Sequence, residues 1–360
     1  METREPAAIR LIERLEDASY SDHILLGHQN AGHIGVSVDT FDGSSSDIKN
    51  LTGKQPAVAG IDTLSFYGYE GQMDDLIKVV KQLHKDNVII TLSAHMPNFS
   101  LGGKEFYDYS PNITEGNVGT RILPGGDLNT KYRRFLDDIA QFAAGCIDIA
   151  GDRIPMIFRP FHECNGDWFW WGSSAMSDED FITLYRYTAD YLRDECGIRS
   201  FVYAYSPNGL FRDEKELLKR YPGDEYVDIV GMDLYHDRPC EGDGFFEKAA
   251  SSLEILHSFC QDRGKISAWS EAGLRTLDSA EGGYYEGLAP EGNTMKDWFT
   301  RLLSLLEGIE AGRRLSYILF WANFSATQFW VPYVKDGKRH EMCDGFIRFC
   351  NSGMIKLAGE

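Results

Sequence analysis

The chain has 360 residues, 43% hydrophobic and 25% charged, with a formal net charge of −19. This is globular composition at a length that suits one large core or two domains. The acidic balance speaks against nucleic acid or an anionic membrane surface as partner, since both need a basic face, whereas a neutral sugar suits it.

From the N-terminus, "METREPAAIRLIERL" goes straight into an amphipathic helical pattern. Eight short apolar, β-branched runs follow, at 23–29, 57–63, 87–95, 154–163, 200–208, 228–235, 265–273 and 315–324. Helical periodicity fills the intervals. Leu76, Val79, Val80 and Leu83 fall at i, i+3, i+4 and i+7, as do Tyr132, Phe135, Leu136 and Ile139, continuing to Phe142. "SDED" at 177–180 reads as a capping box ahead of Phe181, Leu184 and Tyr185. Strands alternating with helices predict a parallel sheet, and eight such units predict a (β/α)8 TIM barrel. The alternative is an open doubly wound sheet, but no glycine-rich phosphate fingerprint follows the first run. No linker, charge block or low-complexity tract marks a boundary. We therefore expect one catalytic domain over 1–360, with a short helix at each end and extended βα loops.

The longest such loop runs from Met96 to Asn129. It carries Phe99, Phe106, Tyr107, Tyr109 and Ile113, too many apolar groups for disorder, and glycines that allow sharp turns. Long loops of this kind are commonly functional. The expectation is either a lid that packs on the barrel or a wall across one side of a cleft, limiting how much of a substrate fits there.

Seven cysteines, Cys146, Cys164, Cys196, Cys240, Cys260, Cys343 and Cys350, lack C-x-x-C spacing. That pattern argues against a zinc site and against a disulfide framework. No apolar run is long enough to span a bilayer, and no signal peptide is legible. An exported protein would have lost its signal and gained a Met.

In a barrel, reacting groups sit at the C-terminal ends of strands. Glu163 and Glu271 fall at the ends of the fourth and seventh runs, and His95, Tyr235 and Trp321 end the third, sixth and eighth. Two carboxylates at one mouth suit glycosidic bond cleavage, one as protonated acid and the other as anion. Their environments must hold their pKa values apart. The aromatic run Trp168, Phe169, Trp170, Trp171 could raise Glu163 by drying it. Flat indoles also stack on the apolar faces of sugars. Adjacent residues cannot all face one ligand, so we expect Trp168 to face the cleft and at least one other to pack inward. "HECNG" lacks the second histidine of a zinc protease motif, so no metal is assigned, and His162 is expected to hydrogen-bond a substrate or a carboxylate. "YSPNG" is no nucleophile elbow. Cys164 should point away from Glu163, as neighbours on a strand do.

"FRPFHECNGDWFWWG", supported by "GHQNAG", "GMDLY", "WSEAG" and "LFWANF", resembles the glycoside hydrolase family 26 β-mannanases, retaining (β/α)8 glycosidases. The resemblance implies that Glu163 is the acid/base and Glu271 the nucleophile. It implies that His162 is the family's own variant where much of the clan has asparagine, and that His95 binds the sugar at the cleavage site, with Trp321 as its floor. It further implies that Trp168 is the platform past the scissile bond and that Tyr235 bonds the nucleophile. The substrate would be a β-mannan polysaccharide or its oligosaccharides, with no cofactor. Export to the periplasm or cell exterior is expected for a polymer-degrading enzyme. Xylanase or mixed-linkage glucanase activity, or an inactive glycan-binding barrel, are the competing readings.

Overall fold

Each of the eight apolar runs forms a strand. In the computed structural model, which describes residues 4–66, 72–101, 110–276 and 286–360, they are β1 (Ile24–Gln29), β2 (Val58–Asp62), β3 (Ile89–Ala94), β4 (Met156–Pro160), β5 (Phe201–Tyr205), β6 (Ile229–Asp237), β7 (Ile266–Arg275) and β8 (Tyr317–Phe320). Every strand pairs in parallel with its sequence neighbour, and β8 closes the ring on β1 with Leu25 opposite Tyr317. The architecture is the expected (β/α)8 barrel rather than an open sheet.

Period-two alternation splits the strand side chains into two cores. Leu25, Val58, Ile89, Ile157, Val202, Ala204, Ile229, Ile266, Ala268, Tyr317 and Leu319 fill the lower barrel. The helix Pro6–Tyr20 closes that end by laying Ala8, Leu11, Leu15 and Ala18 against them. Its start is set by Pro6, whose fixed φ suits a first helical turn. The alternate residues, such as Leu26, Ile90, Phe158 and Ile318, face outward onto the surrounding helices. Helix Met73–Lys85 buries Leu76, Val79, Val80 and Leu83, and helix Asn129–Gly145 buries Tyr132, Phe135, Leu136, Ile139 and Phe142. The helix Asp178–Asp190 begins on Ser177, whose hydroxyl accepts from the Asp180 backbone N–H at 3.1 Å.

Near the C-terminus, helix Cys343–Cys350 is followed by the pair Ile355–Lys356, which adds to the lower end of β1. All seven cysteines are free. No helix among the described residues is long and apolar enough to cross a membrane.

Candidate active site

The inward parity of the lower barrel, carried up each strand, selects what reaches the upper mouth. Counting in twos from Val58, Ile89, Ile157, Ile229 and Tyr317 leads to Asp62, His95, Arg159, Asp233, Tyr235 and Trp321. The same count from Ala268 leads to Ser270 and would turn Glu271 outward. A register shift in β7 prevents that. Met232 pairs with Trp269 but Asp233 pairs with Glu271, so Ser270 is an extra residue. A bulge of this kind re-aims the side chain that follows it. It sets Glu271 beside Asp233, while the Ser270 hydroxyl donates to Asp233 at 2.7 Å.

Glu163 arrives differently. β4 stops at Pro160, and Glu163 stands three residues beyond it with φ +53°, after Phe161 at +55°. Left-handed backbone at non-glycine residues costs about 1–3 kcal/mol and persists only where the surroundings hold it. Here the Glu163 N–H donates to the Ser206 carbonyl at 2.8 Å, tying the turn to the end of β5.

Carboxylate oxygens of Glu163, Asp233 and Glu271 lie within 4.8 Å of one another. The three acids are not equivalent. Arg159, fully buried on β4, donates from Nη1 to Asp233 Oδ2 at 2.9 Å and from Nη2 to Glu271 Oε1. Tyr235 donates to the other Glu271 oxygen at 2.7 Å. Glu271 thus accepts from a guanidinium on one oxygen and from a phenol on the other. Glu163 has only neutral donors, Trp168 Nε1 at 2.7 Å and Asn208 Nδ2 at 3.1 Å. Burial, and then repulsion from Glu271, raise its carboxyl to about 7. A carboxylic acid protonated near neutrality thus faces a fixed carboxylate, which is the division of labour glycoside cleavage requires. The three oxygens are close enough to hold a cation, a cluster the sequence reading did not foresee. The Arg159 guanidinium already supplies the positive charge to two of them.

Asp62 accepts from His95 Nδ1 at 2.8 Å and from the Ser93 hydroxyl at 2.6 Å. Burial alone would lower the pKa of His95, but the charge and hydrogen bond of Asp62 outweigh it and raise it. His95 Nε2 lies 3.2 Å from Nε2 of His162. Burial, then the charges of His95 and Arg159, hold His162 well below its ordinary value, so it is a neutral imidazole. Nε2 of His162 therefore meets another histidine and not a carboxylate, which leaves a substrate as the other partner that the sequence suggested.

The aromatic run divides sharply. Trp170 and Trp171 are 1% and 0% exposed, whereas Trp168 is 37% exposed. Trp170 Nε1 donates to the Met96 carbonyl and Trp171 Nε1 to the His162 carbonyl, at 3.1 and 2.8 Å. Buried Arg220 staples the same loop through the carbonyls of Cys164, Trp171 and Met176. Trp168 lies flat over Gly166, where a Cβ would come within 2.5 Å of the indole ring. Cys164 points away from the cleft, and burial pushes its thiol up to about 12, which leaves it no nucleophilic role.

These side chains surround a cleft of about 710 Å³ that contains Glu163, Glu271, His95, His162, Trp168, Tyr235 and Trp321 together. Pro111 and Asn112 of the long loop also reach it. The Asn112 amide donates to the Trp168 carbonyl at 3.1 Å, and Pro111 accepts from the Trp170 N–H at 3.0 Å. Phe106, Tyr107 and Tyr109, on which the expected wall largely relied, lie outside the described residues. Sequence reasoning missed Arg159, Asp233 and Asp62. Their only signal was a charge at an inward position of an otherwise apolar strand.

A parallel eight-stranded barrel with one raised carboxyl and one anchored carboxyl at its C-terminal mouth is the arrangement of a glycoside hydrolase. Residues 7–276 match the profile of glycosyl hydrolase family 26, and the chain belongs to that family. It is 33% identical over 328 residues to a mannan endo-1,4-β-mannosidase of Bifidobacterium adolescentis, covering 87% of this chain and 31% of that protein. A Bacillus subtilis enzyme of the same name is 30% identical over 224 residues, 56% of each chain. The chain therefore spans about a third to a little over half the length of these two relatives. Among solved structures, the catalytic domain of a Bacillus endo-β-1,4-mannanase superposes with a TM-score of 0.90 at 33% identity, covering 99% of this chain and 93% of that one. A Bacteroides ovatus β-mannanase gives 0.84 at 28% identity, covering 99% and 96%.

Proposed function

We propose that the chain hydrolyses β-1,4-mannosidic linkages in mannan, galactomannan or glucomannan, with retention of anomeric configuration. The observation that carries this is the asymmetry of the two carboxyls, one raised to about 7 and the other anchored by Arg159 and Tyr235, with oxygens within 4.8 Å, which is compatible with the short separation of retaining enzymes. The names of the relatives supply the mannan backbone. In this reading Glu163 protonates the leaving oxygen while Glu271 attacks the anomeric carbon and the C–O bond breaks. A water, deprotonated by Glu163, then releases the sugar from Glu271. Trp168 stacks on the leaving sugar, Trp321 floors the sugar being cleaved, and His95 and His162 contact its hydroxyls. Tyr235 orients the nucleophile.

The segment 96–129 adds a finer expectation, that mannobiose dominates the products. The polymer is too large to enter a cell, so the proposal also places the enzyme outside the cytoplasm. Incubation with mannan, glucomannan, xylan and lichenan, with products resolved by chain length, tests the reading. Degradation of the first two is expected, and preference for xylan or lichenan would overturn it.

A further inference from the structure

Asp62 ends β2 and is buried. Its oxygens accept from the Ser93 hydroxyl at 2.6 Å and the Leu64 N–H at 2.9 Å. They also accept from the His95 backbone N–H at 3.3 Å and from His95 Nδ1 at 2.8 Å. Of these donors only the His95 ring can carry a positive charge. A carboxylate taken out of water needs a counter-charge as well as hydrogen bonds, and among the described residues the ion pair of Asp62 is with His95.

The second ring decides where the extra proton rests. His95 Nε2 meets His162 Nε2 at 3.2 Å, a contact that holds one proton. An imidazolium has two N–H donors and needs two acceptors. His95 has both, the Asp62 carboxylate at Nδ1 and the His162 lone pair at Nε2. His162 has one, because its Nδ1 is buried with no hydrogen-bond partner among the described residues. The extra proton therefore belongs on His95, with His162 neutral beside it. Burial opposes that cation, Asp62 and then Glu271 favour it, and Arg159 opposes it; the balance is in its favour.

We propose that Asp62 is a positioning residue: it holds the second proton on His95, and so fixes His95 as donor and His162 as acceptor towards the sugar in the cleft. A hydroxyl brought to the pair then meets one charged donor and one lone pair, in an order set from behind by Asp62. The use made of the charge rests on the hydrolase reading above, whereas the charge itself is there without substrate.

NMR of the 15N-histidine-labelled enzyme reads that charge directly, with His95→Gln assigning the signal by deleting it. In wild type the His95 midpoint should lie above the ordinary value of about 6.5, and in Asp62→Asn, which keeps the shape and removes the charge, below it. A wild-type midpoint below about 6.5, or one that the substitution leaves in place, would overturn the proposal. On mannopentaose, Asp62→Asn should lose about fivefold to tenfold in kcat/KM at about pH 7, the difference between a charged and a neutral hydrogen bond. His95 acts when protonated, so that deficit should close as pH falls through its lowered pKa. A deficit of one size at every pH is what a merely structural role gives, and would overturn the proposal. In the His95→Gln background Asp62→Asn should cost less than about twofold more, since it acts through that ring; a full further loss would overturn it too. Failure of the wild type on every manno-oligosaccharide would leave the titration to decide this proposal and would overturn the functional reading instead.

Discussion

Replacing Trp168 with Phe removes one hydrogen-bond donor from Glu163 and keeps an aromatic wall. The carboxyl is balanced between burial and Glu271, which raise it, and the donors Trp168 and Asn208 and the charge of Arg159, which lower it; the net value is about 7. A hydrogen bond to a charged group is worth about 1.5–3 kcal/mol. Trp168 is more than a third exposed, so water screens and partly replaces its contribution, and about 1 kcal/mol is the defensible figure. At about 1.4 kcal/mol per pKa unit, Trp168→Phe should raise the Glu163 pKa by about 0.7 unit. The sign follows from the role. Glu163 acts when protonated, so activity is present below its pKa and lost as pH rises through it. The variant should therefore stay active to higher pH than wild type, even though lost stacking lowers its overall rate. The assay is kcat/KM on mannopentaose across pH 4–10, reading the position of the alkaline limb and not its height. A limb that stays in place or moves to lower pH would refute the reasoning.

Glu163→Ala should slow hydrolysis of natural mannan by about 100-fold or more, the usual worth of a general acid. An aryl mannoside with a good leaving group should suffer far less, and matched steady-state rates on the two substrates check this. Glu271→Ala should abolish turnover without unfolding, and azide should restore it as a glycosyl azide of inverted configuration, identified by NMR. Arg159→Met would strand Asp233 and Glu271 as neighbouring buried carboxylates. Urea unfolding should show a loss of about 3–5 kcal/mol, the range for breaking a buried pair, and a loss under about 1 kcal/mol would mean that Arg159 does not hold the pair.

The barrel was legible because its strands are short and apolar and its helices periodic, so the eight runs at 23–29 through 315–324 map onto β1 to β8. Boundaries drifted where pairing, not composition, decides them. The run 154–163 reads as one strand, but the chain turns at Phe161 and Glu163, and contacts from Ser206, Trp171 and Arg220 fix that turn. Conversely β6 and β7 run on to Asp237 and Arg275 because they pair with each other beyond the barrel. Glu163 and Glu271 could be chosen from their place in the pattern. Arg159 could not be matched with Asp233, because their contact spans 74 positions and no local spacing records it. The bulge at Ser270 left no compositional trace either, although the inward aim of Glu271 depends on it. The choice of Trp168 over Trp170 and Trp171 agrees with its exposure. Of the two partners expected for His162, a substrate or a carboxylate, the carboxylate is replaced by His95, since segments following different strands decide which groups meet.

The central claim is that Glu271 attacks the sugar directly and Glu163 serves twice, first as acid and then as base. Proton NMR of mannopentaose hydrolysis, begun within seconds of adding enzyme and before mutarotation, reads it most directly. Two displacements at the anomeric carbon predict that the β-anomer of the newly formed reducing end appears first and relaxes later to the equilibrium mixture. Initial release of the α-anomer would mean a single displacement by water and would contradict the nucleophilic role of Glu271.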